Sequence, residues 1–175
     1  VAVAANTPNT IISFLAANSI GAIWSSCSPD FGVDAILDRF SQIEPIAIMF
    51  TNSYHYGGKF IDISNKNTEV ARRLKSVKYK FLMNYPEMDT VINNFDIDLE
   101  TVFSNQDINT EVLFEKSFFN DPMYILYSSG TTGKPKCIVH NTGGPLIQHM
   151  KEQQLHCDLK KNDKIFYFTT CGWMM

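Results

Sequence analysis

The sequence is short of several things that would have named a function class early. Its four cysteines include no CxxC pair and its four histidines no HExxH pair, so the usual spacings of a structural zinc site and of a zinc hydrolase helix are both missing. No hydrophobic run is long enough for a bilayer. The longest mostly apolar stretch, Ile11 to Trp24, is interrupted by Ser13, Asn18 and Ser19, whereas a spanning helix needs about 20 apolar residues. A basic excess is also lacking: 15 basic against 18 acidic residues leave a formal net charge of −3, which offers no sequence-wide surface for nucleic acid. No repeat or low-complexity run appears, and no secretory signal is visible in these residues. The four cysteines, some of them in apparent strands, read as reduced core thiols of a cytoplasmic protein. There is no initiator Met, and the chain opens on the apolar VAVAA and closes on the apolar GWMM, so it reads as a piece of something longer. What remains, 45% hydrophobic and 13% aromatic residues in 175, is enough for a packed core and excludes a disordered chain.

One local absence points at chemistry. Between Pro122 and Lys151 there is no Asp or Glu, while Lys134, Lys136 and Lys151 all lie there, so the local field suits a polyanion within an acidic chain. Inside this window Tyr124 to His140 reads YILYSSGTTGKPKCIVH, an apolar run, a turn of hydroxyls and glycines, and a second apolar run, which is strand, loop, strand. Gly130 and Gly133 allow positive φ, so backbone N–H groups can converge on an anion. Ser128, Ser129, Thr131 and Thr132 add hydroxyl donors, and Lys134 and Lys136 add compact positive charge. A plain flexible turn has the same glycines and hydroxyls; the lysines and the acid-free window favour a phosphate loop. It is not a Walker A loop, because Pro135 stands where that motif puts a hydroxyl after its lysine.

YSSGTTGKPK resembles the signature loop of the adenylate-forming (acyl-coenzyme A synthetase and ligase) superfamily. SSCSPDFG at Ser25 to Gly32, IVHNTGG at Ile138 to Gly144 and TTCGWMM at Thr169 to Met175 are more similar to the acetoacetate-activating branch than to the acetate-activating one. The resemblance covers Val1 to Met175 and is weakest between Asn84 and Asn120. It implies a ligase that forms an acyl-adenylate from Mg-ATP and acetoacetate and transfers the acyl group to coenzyme A. It assigns ATP contacts to Ser128, Ser129, Gly130, Thr131, Thr132, Gly133, Lys134 and Lys136. It assigns a border of the acyl and coenzyme A pockets to Gly172, Trp173, Met174 and Met175, where the acetate branch has GWVTG. Two methionines make a softer wall, which suits a longer acyl group. The implied partners are small molecules, with no nucleic acid and no membrane span. The magnesium carboxylate and the catalytic lysine of the superfamily match nothing here, so this chain is expected to carry no catalytic residue and no metal ligand, to bind nucleotide weakly by itself and to catalyse nothing alone. The alternatives are a ligase for acetate or another short acid, and a non-catalytic nucleotide-binding module.

The fold expected is α/β, a layered, mainly parallel sheet with helices on both faces, forming part of an N-terminal adenylation domain. Residues 1–50 read as a βαβαβ unit: a strand in Val1 to Ala5, a helix from Thr7 and Pro8 to Ile20 with Ile11, Ile12, Leu15 and Ser19 on one stripe, a strand in Ala22 to Ser26, a helix carrying Val33, Ile36, Leu37 and Phe40, and a strand in Ile46 to Phe50. Gly21 is placed to end the first helix, and Asp30 reads as a helix-capping turn. A helix near Thr68 to Lys75 and a strand at Tyr79 to Met83 continue the alternation. Residues 84–120 read as a variable, solvated loop region with a short helix at Glu111 to Lys116. Residues 124–140 are the phosphate-binding strand-loop-strand. A helix from Gly143 to His156, capped by Asn141 or Thr142, presents a second N-terminal anion site toward the same ligand. His140 reads equally as a residue near the nucleotide and as a hydrogen-bonded structural histidine. A strand is expected at Lys164 to Thr169.

Overall fold

A computed structural model describes residues 1–85, 95–105, 107, 109, 111–128 and 133–174. The elements in chain order are β1 (Ala2–Val3), α1 (Pro8–Ser19), β2 (Trp24–Cys27), α2 (Val33–Phe40), β3 (Ala47–Thr51), β4 (Ser53–Tyr56), β5 (Lys59–Asp62), α3 (Ser64–Arg73), β6 (Tyr79–Met83), β7 (Ile97–Asp98), α4 (Leu99–Ser104), β8 (Pro122–Ser128), β9 (Lys136–Asn141) and α5 (Gly143–Lys151), which runs on into a π-helical stretch, Glu152–His156. Among the described residues a seven-stranded sheet has the order β7-β6-β3-β1-β2-β8-β9. Every neighbouring pair in it is parallel except β8 with β9.

Alternation along the strands sends side chains to two cores, one on each face of the sheet. In β1 and β3, Val3, Ile48 and Phe50 point to one face, where they meet Ile36, Leu37 and Phe40 of α2, with Val70 of α3 and Leu74 just beyond it. Ala2 of β1 points to the other, where it joins Ala4, Trp24, Met83 and Leu99 of α4, with Phe14 and Ala17 of α1 packed against them. The sheet therefore carries α2 and α3 on one face and α1 and α4 on the other, as the alternation of strand and helix in the sequence requires.

Several elements depart from the sequence reading. The α1 helix begins at Pro8 behind an N-cap at Thr7 and is closed by Gly21 at φ 73, both as expected, but its buried face is different. Thr10 and Ser13 are buried, whereas Ile11, Ile12 and Leu15 are 48%, 47% and 59% exposed. The small polar pair lets the helix lie close to the sheet: the Thr10 hydroxyl donates to the Ala5 carbonyl at 2.6 Å and Ser13 to the Met83 sulfur at 3.6 Å. The cap of α2 is Gly32 with no side-chain hydrogen bond, so Asp30 is not its cap. The short helix of the 84–120 region is α4, one turn and a half at 99–104 capped by Asp98. Residues 111–116 are irregular. Asp98 and Glu100 supply the acidic N-terminus that the helix dipole favours in α4. Residues 164–169 form no strand, and Phe166 and Phe168 are 86% and 90% exposed; no described strand pairs with them.

Candidate functional site

In a parallel sheet the ligand crevice opens at the carboxyl ends of the strands, where consecutive connections leave toward opposite faces. Here that point lies between β1 and β2, because α1 follows β1 on one face and α2 follows β2 on the other. Among the described residues, the segments at this edge include residues 4–7 after β1, 28–32 after β2, the two ends of the β8–β9 turn at Ser128 and Gly133, and the segment 169–174.

The last of these is docked by side chains that a sequence pattern does not reveal. Asn6 donates through Nδ2 to the Thr169 carbonyl at 2.5 Å and accepts at Oδ1 from the Cys171 N–H at 2.9 Å. Ser26 on β2 donates to the Cys171 carbonyl at 3.0 Å. The Trp173 N–H closes a turn on the Thr170 carbonyl at 3.1 Å. Gly172 lies so close to β2 that a Cβ there would stand 2.7 Å from the Ser26 carbonyl oxygen and 3.3 Å from the Cys27 Cα. Backbone approach of this kind admits glycine alone. Beyond it Trp173 is 61% exposed at the crevice edge and Met174 is half-buried. Met175 lies outside the described residues.

The β8–β9 hairpin brings Ser128 opposite Lys136, with Tyr127 opposite Cys137. Ser129, Gly130, Thr131 and Thr132 lie outside the described residues. On the returning side Gly133 takes φ 139, a conformation that L side chains rarely adopt. Lys134 is exposed, with Nζ 3.7 Å from the Asp38 carboxylate. The Pro135 carbonyl accepts from Gln42 at 2.8 Å, so the hairpin is tied to the carboxyl end of α2. Lys136 is exposed as well. Beneath them the Arg39 guanidinium sits 4.6 Å from the Phe31 ring and 5.8 Å from the Tyr127 ring, joining the β2 loop to β8 by cation–π contact. Burial raises the Tyr127 phenol, and Ser25, which shares a hydrogen bond with it, pulls it back.

The loop after β2 is pinned from α3. Lys66 donates to the carbonyls of Pro29 and of Phe31, the latter at 3.0 Å. Burial lowers its ammonium pKa, and the Asp30 carboxylate works in the opposite direction. Lys66 carried no sequence signal, since a lysine on a polar helix reads as solvated.

His140, which had two readings, and the expected anion site at the start of α5 both fall elsewhere. Because β9 runs antiparallel to β8, Asn141 pairs with Pro122 and His140 with Tyr124, at the amino end of β8. Four residues of strand, about 13 Å, separate His140 from the turn. It stacks on Tyr124 at 4.6 Å and shares a hydrogen bond between Nδ1 and the Ile138 carbonyl at 3.2 Å, which makes it a structural histidine. The N-terminus of α5 is at that same far edge. Its amides are already used, Gly143 N–H by the Phe119 carbonyl at 3.0 Å and Gly144 N–H by the Asn141 side chain at 2.8 Å, and Pro145 has no N–H to offer. The second anion site is therefore not formed.

The sequence matches the family of AMP-binding enzymes over residues 1–175. It is 44% identical over 172 residues to the acetoacetyl-coenzyme A synthetase of Rhizobium meliloti (strain 1021), covering 97% of this chain and 26% of that protein. To the acetoacetyl-CoA synthetase of Gallus gallus it is 41% identical over 176 residues, with the same coverage of 97% and 26%. The solved structure of acetoacetyl-CoA synthetase from Streptomyces lividans superposes with a TM-score of 0.91 at 37% identity, over 99% of this chain and 26% of that one. The chain thus spans about a quarter of the length of these relatives, 26% in each case. Sheet order, crevice and sequence agree that the chain belongs to the AMP-binding enzyme family.

Proposed function

We propose that residues 1–175 are part of the N-terminal adenylation domain of an acid–thiol ligase that activates acetoacetate with Mg-ATP and transfers it to coenzyme A. The observation that carries this is that the strand ends flanking the β8–β9 turn, at Ser128 and Lys136, and the docked segment 169–174 share one carboxyl edge of the sheet. One brings donors suited to phosphate, the other an apolar wall suited to a short acyl chain. The names of the relatives support the same acid.

In this reading a carboxylate oxygen of the acid attacks the α-phosphorus of ATP. The bond to the bridging oxygen breaks and pyrophosphate leaves with its charge. Ser128, Ser129, Gly130, Thr131, Thr132, Gly133, Lys134 and Lys136 supply amides, hydroxyls and ammonium groups that spread this charge over fixed donors. Magnesium arrives with ATP as part of the substrate; among the described residues no group of three His, Cys, Asp or Glu is placed to hold an ion. The thiolate of coenzyme A then attacks the acyl carbon and AMP leaves. Gly172, Trp173, Met174 and Met175 border the acyl group, the methionines giving a deformable wall for the extra acetyl unit. The groups that complete the reaction match no residue here, so the 175-residue chain alone binds nucleotide weakly and releases no pyrophosphate. Four free thiols fit the reducing cytoplasm, and none of the described helices is long and apolar enough to cross a membrane.

The test is pyrophosphate release by the full-length protein supplied with Mg-ATP, coenzyme A and either acetoacetate or acetate. Faster release with acetoacetate is expected. A preference for acetate would overturn the acid assignment, and no release with any short acid would overturn the ligase.

A further inference from the structure

The amide of Asn6 meets the backbone of residues 169–171 at two points, one donated to the Thr169 carbonyl at 2.5 Å and one accepted from the Cys171 N–H at 2.9 Å. Only a side chain with a donor and an acceptor side by side can do this; serine has one oxygen and aspartate no donor. The two contacts mimic one rung of a β-ladder across 163 and 165 residues of sequence. In the next peptide group, Ser26 donates to the Cys171 carbonyl at 3.0 Å. Cys171 thus has its N–H and its carbonyl both fixed by side chains, and the next residue, Gly172, is pressed onto β2.

The preceding stretch contributes no such anchoring. Residues 164–168 make no strand and expose Ile165, Phe166, Tyr167 and Phe168. The position of Gly172, Trp173 and Met174 therefore depends on what holds residues 169–171. We infer that Asn6, assisted by Ser26, is a positioning residue that sets the acyl-pocket wall and, through it, which acid the enzyme accepts. This rests on the reading that residues 172–175 border the acyl group. Asn6 lies beyond the carboxyl end of β1, and its side chain bonds the backbone of Thr169 and Cys171 next to the wall, so in this reading it acts on the acid through that backbone.

The test compares full-length wild type with Asn6→Asp, which keeps the shape and the acceptor but loses the donor, and with Asn6→Ala, which loses both. Hydrogen–deuterium exchange followed at the Cys171 amide is expected to accelerate by about tenfold or more in Asn6→Ala, since that N–H loses its acceptor. Kinetically, the KM for acetoacetate is expected to rise about tenfold in both variants while the KM for ATP stays within about twofold, and the preference for acetoacetate over acetate is expected to shrink. Unchanged exchange at Cys171 would overturn the positioning role regardless of activity. Normal selectivity in an active Asn6→Ala, or an equal rise of both KM values, would overturn it while leaving the proposed ligase standing. A wild type that releases no pyrophosphate would instead remove the ligase reading, and with it the acid-selecting part of this inference.

Discussion

Lys134 and Cys27 show how burial decides what a single residue is free to do. The ion pair of Lys134 with Asp38 is 3.7 Å long, with side chains 68% and 45% exposed. An exposed pair of that kind contributes about 0–1 kcal/mol, whereas a charge-assisted bond to a phosphate is worth roughly 1.5–3 kcal/mol. The lysine is therefore held loosely enough to leave Asp38 for a ligand. Lys134→Ala in the full-length protein is expected to raise the KM for ATP by about tenfold or more while shifting unfolding by under about 0.5 kcal/mol. A large loss of stability with unchanged KM would make the lysine structural. Cys27 is the opposite case. Burial pushes its thiol from the ordinary 9.0 up to about 12, with Arg39 pulling the other way. At pH 8 a thiol reagent is expected to modify the exposed Cys157 and to leave Cys27 unmodified until the protein unfolds. The sign for stability follows: the folded value lies above the unfolded one, so the contribution is complete below about pH 9 and is lost as pH rises toward about 12. Denaturant titrations between those values check it.

Elements with local instructions were legible in the sequence, and those set by distant partners were not. Tyr79 to Met83 is a strand as read, and Thr7, Pro8 and Gly21 bound α1 as their chemistry requires. The β4–β5 hairpin also has a local signal in the sequence. Its signal is the Gly57-Gly58 pair, at φ 56 and 73, between Ser53–Tyr56 and Lys59–Asp62, a two-residue turn with both φ positive. No atom lies within 4 Å of a Cβ added at either glycine, so backbone conformation alone resists substitution. Gly57→Asn is expected to be nearly neutral and Gly57→Val to cost about 1–2 kcal/mol, read from chemical denaturation; equal costs would show that the turn is not in this conformation. By contrast, the helix expected at 111–116 and the strand expected at 164–169 were assigned from composition, and composition supplies neither a cap nor a ladder partner. For the candidate site, the glycines, hydroxyls and lysines of the β8–β9 turn are read from residue type alone, and Ser129 to Thr132 lie outside the described residues. Asn6, Ser26 and Lys66 could not be so read, because each acts on backbone far away in the sequence and belongs to a residue type that is common on any surface. The α5 N-terminus misled for a related reason: its chemistry was right, but the antiparallel return of β9 carries it to the wrong edge, and the same return leaves His140 with the structural one of its two readings.

At the scale of the whole molecule the same limit governs which surface is core. Hydrophobic periodicity puts Ile11, Ile12, Leu15 and Ser19 on one stripe of α1, the kind of face expected to meet the sheet. In the structure Thr10, Ser13, Phe14 and Ala17 take that place, and the aliphatic stripe turns outward. A cavity of about 820 Å³ at the amino edge of the sheet is lined by Ile12, Ala16, Ile20, Ile23, Ile46 and Phe103 among others, and Ile20 and Ile46 are 70% and 59% exposed. Contiguous apolar surface of this kind drives association in water. The 175-residue chain prepared by itself is therefore expected to self-associate at micromolar concentrations and to bind an apolar dye, and Ile12→Glu with Ile20→Glu is expected to reduce both while leaving the circular dichroism of the sheet and helices unchanged. Light scattering reads the first effect and fluorescence the second. A chain that stays monomeric and dye-free would mean that the outward face of α1 is covered from within, and the placement of its aliphatic stripe would have to be reversed.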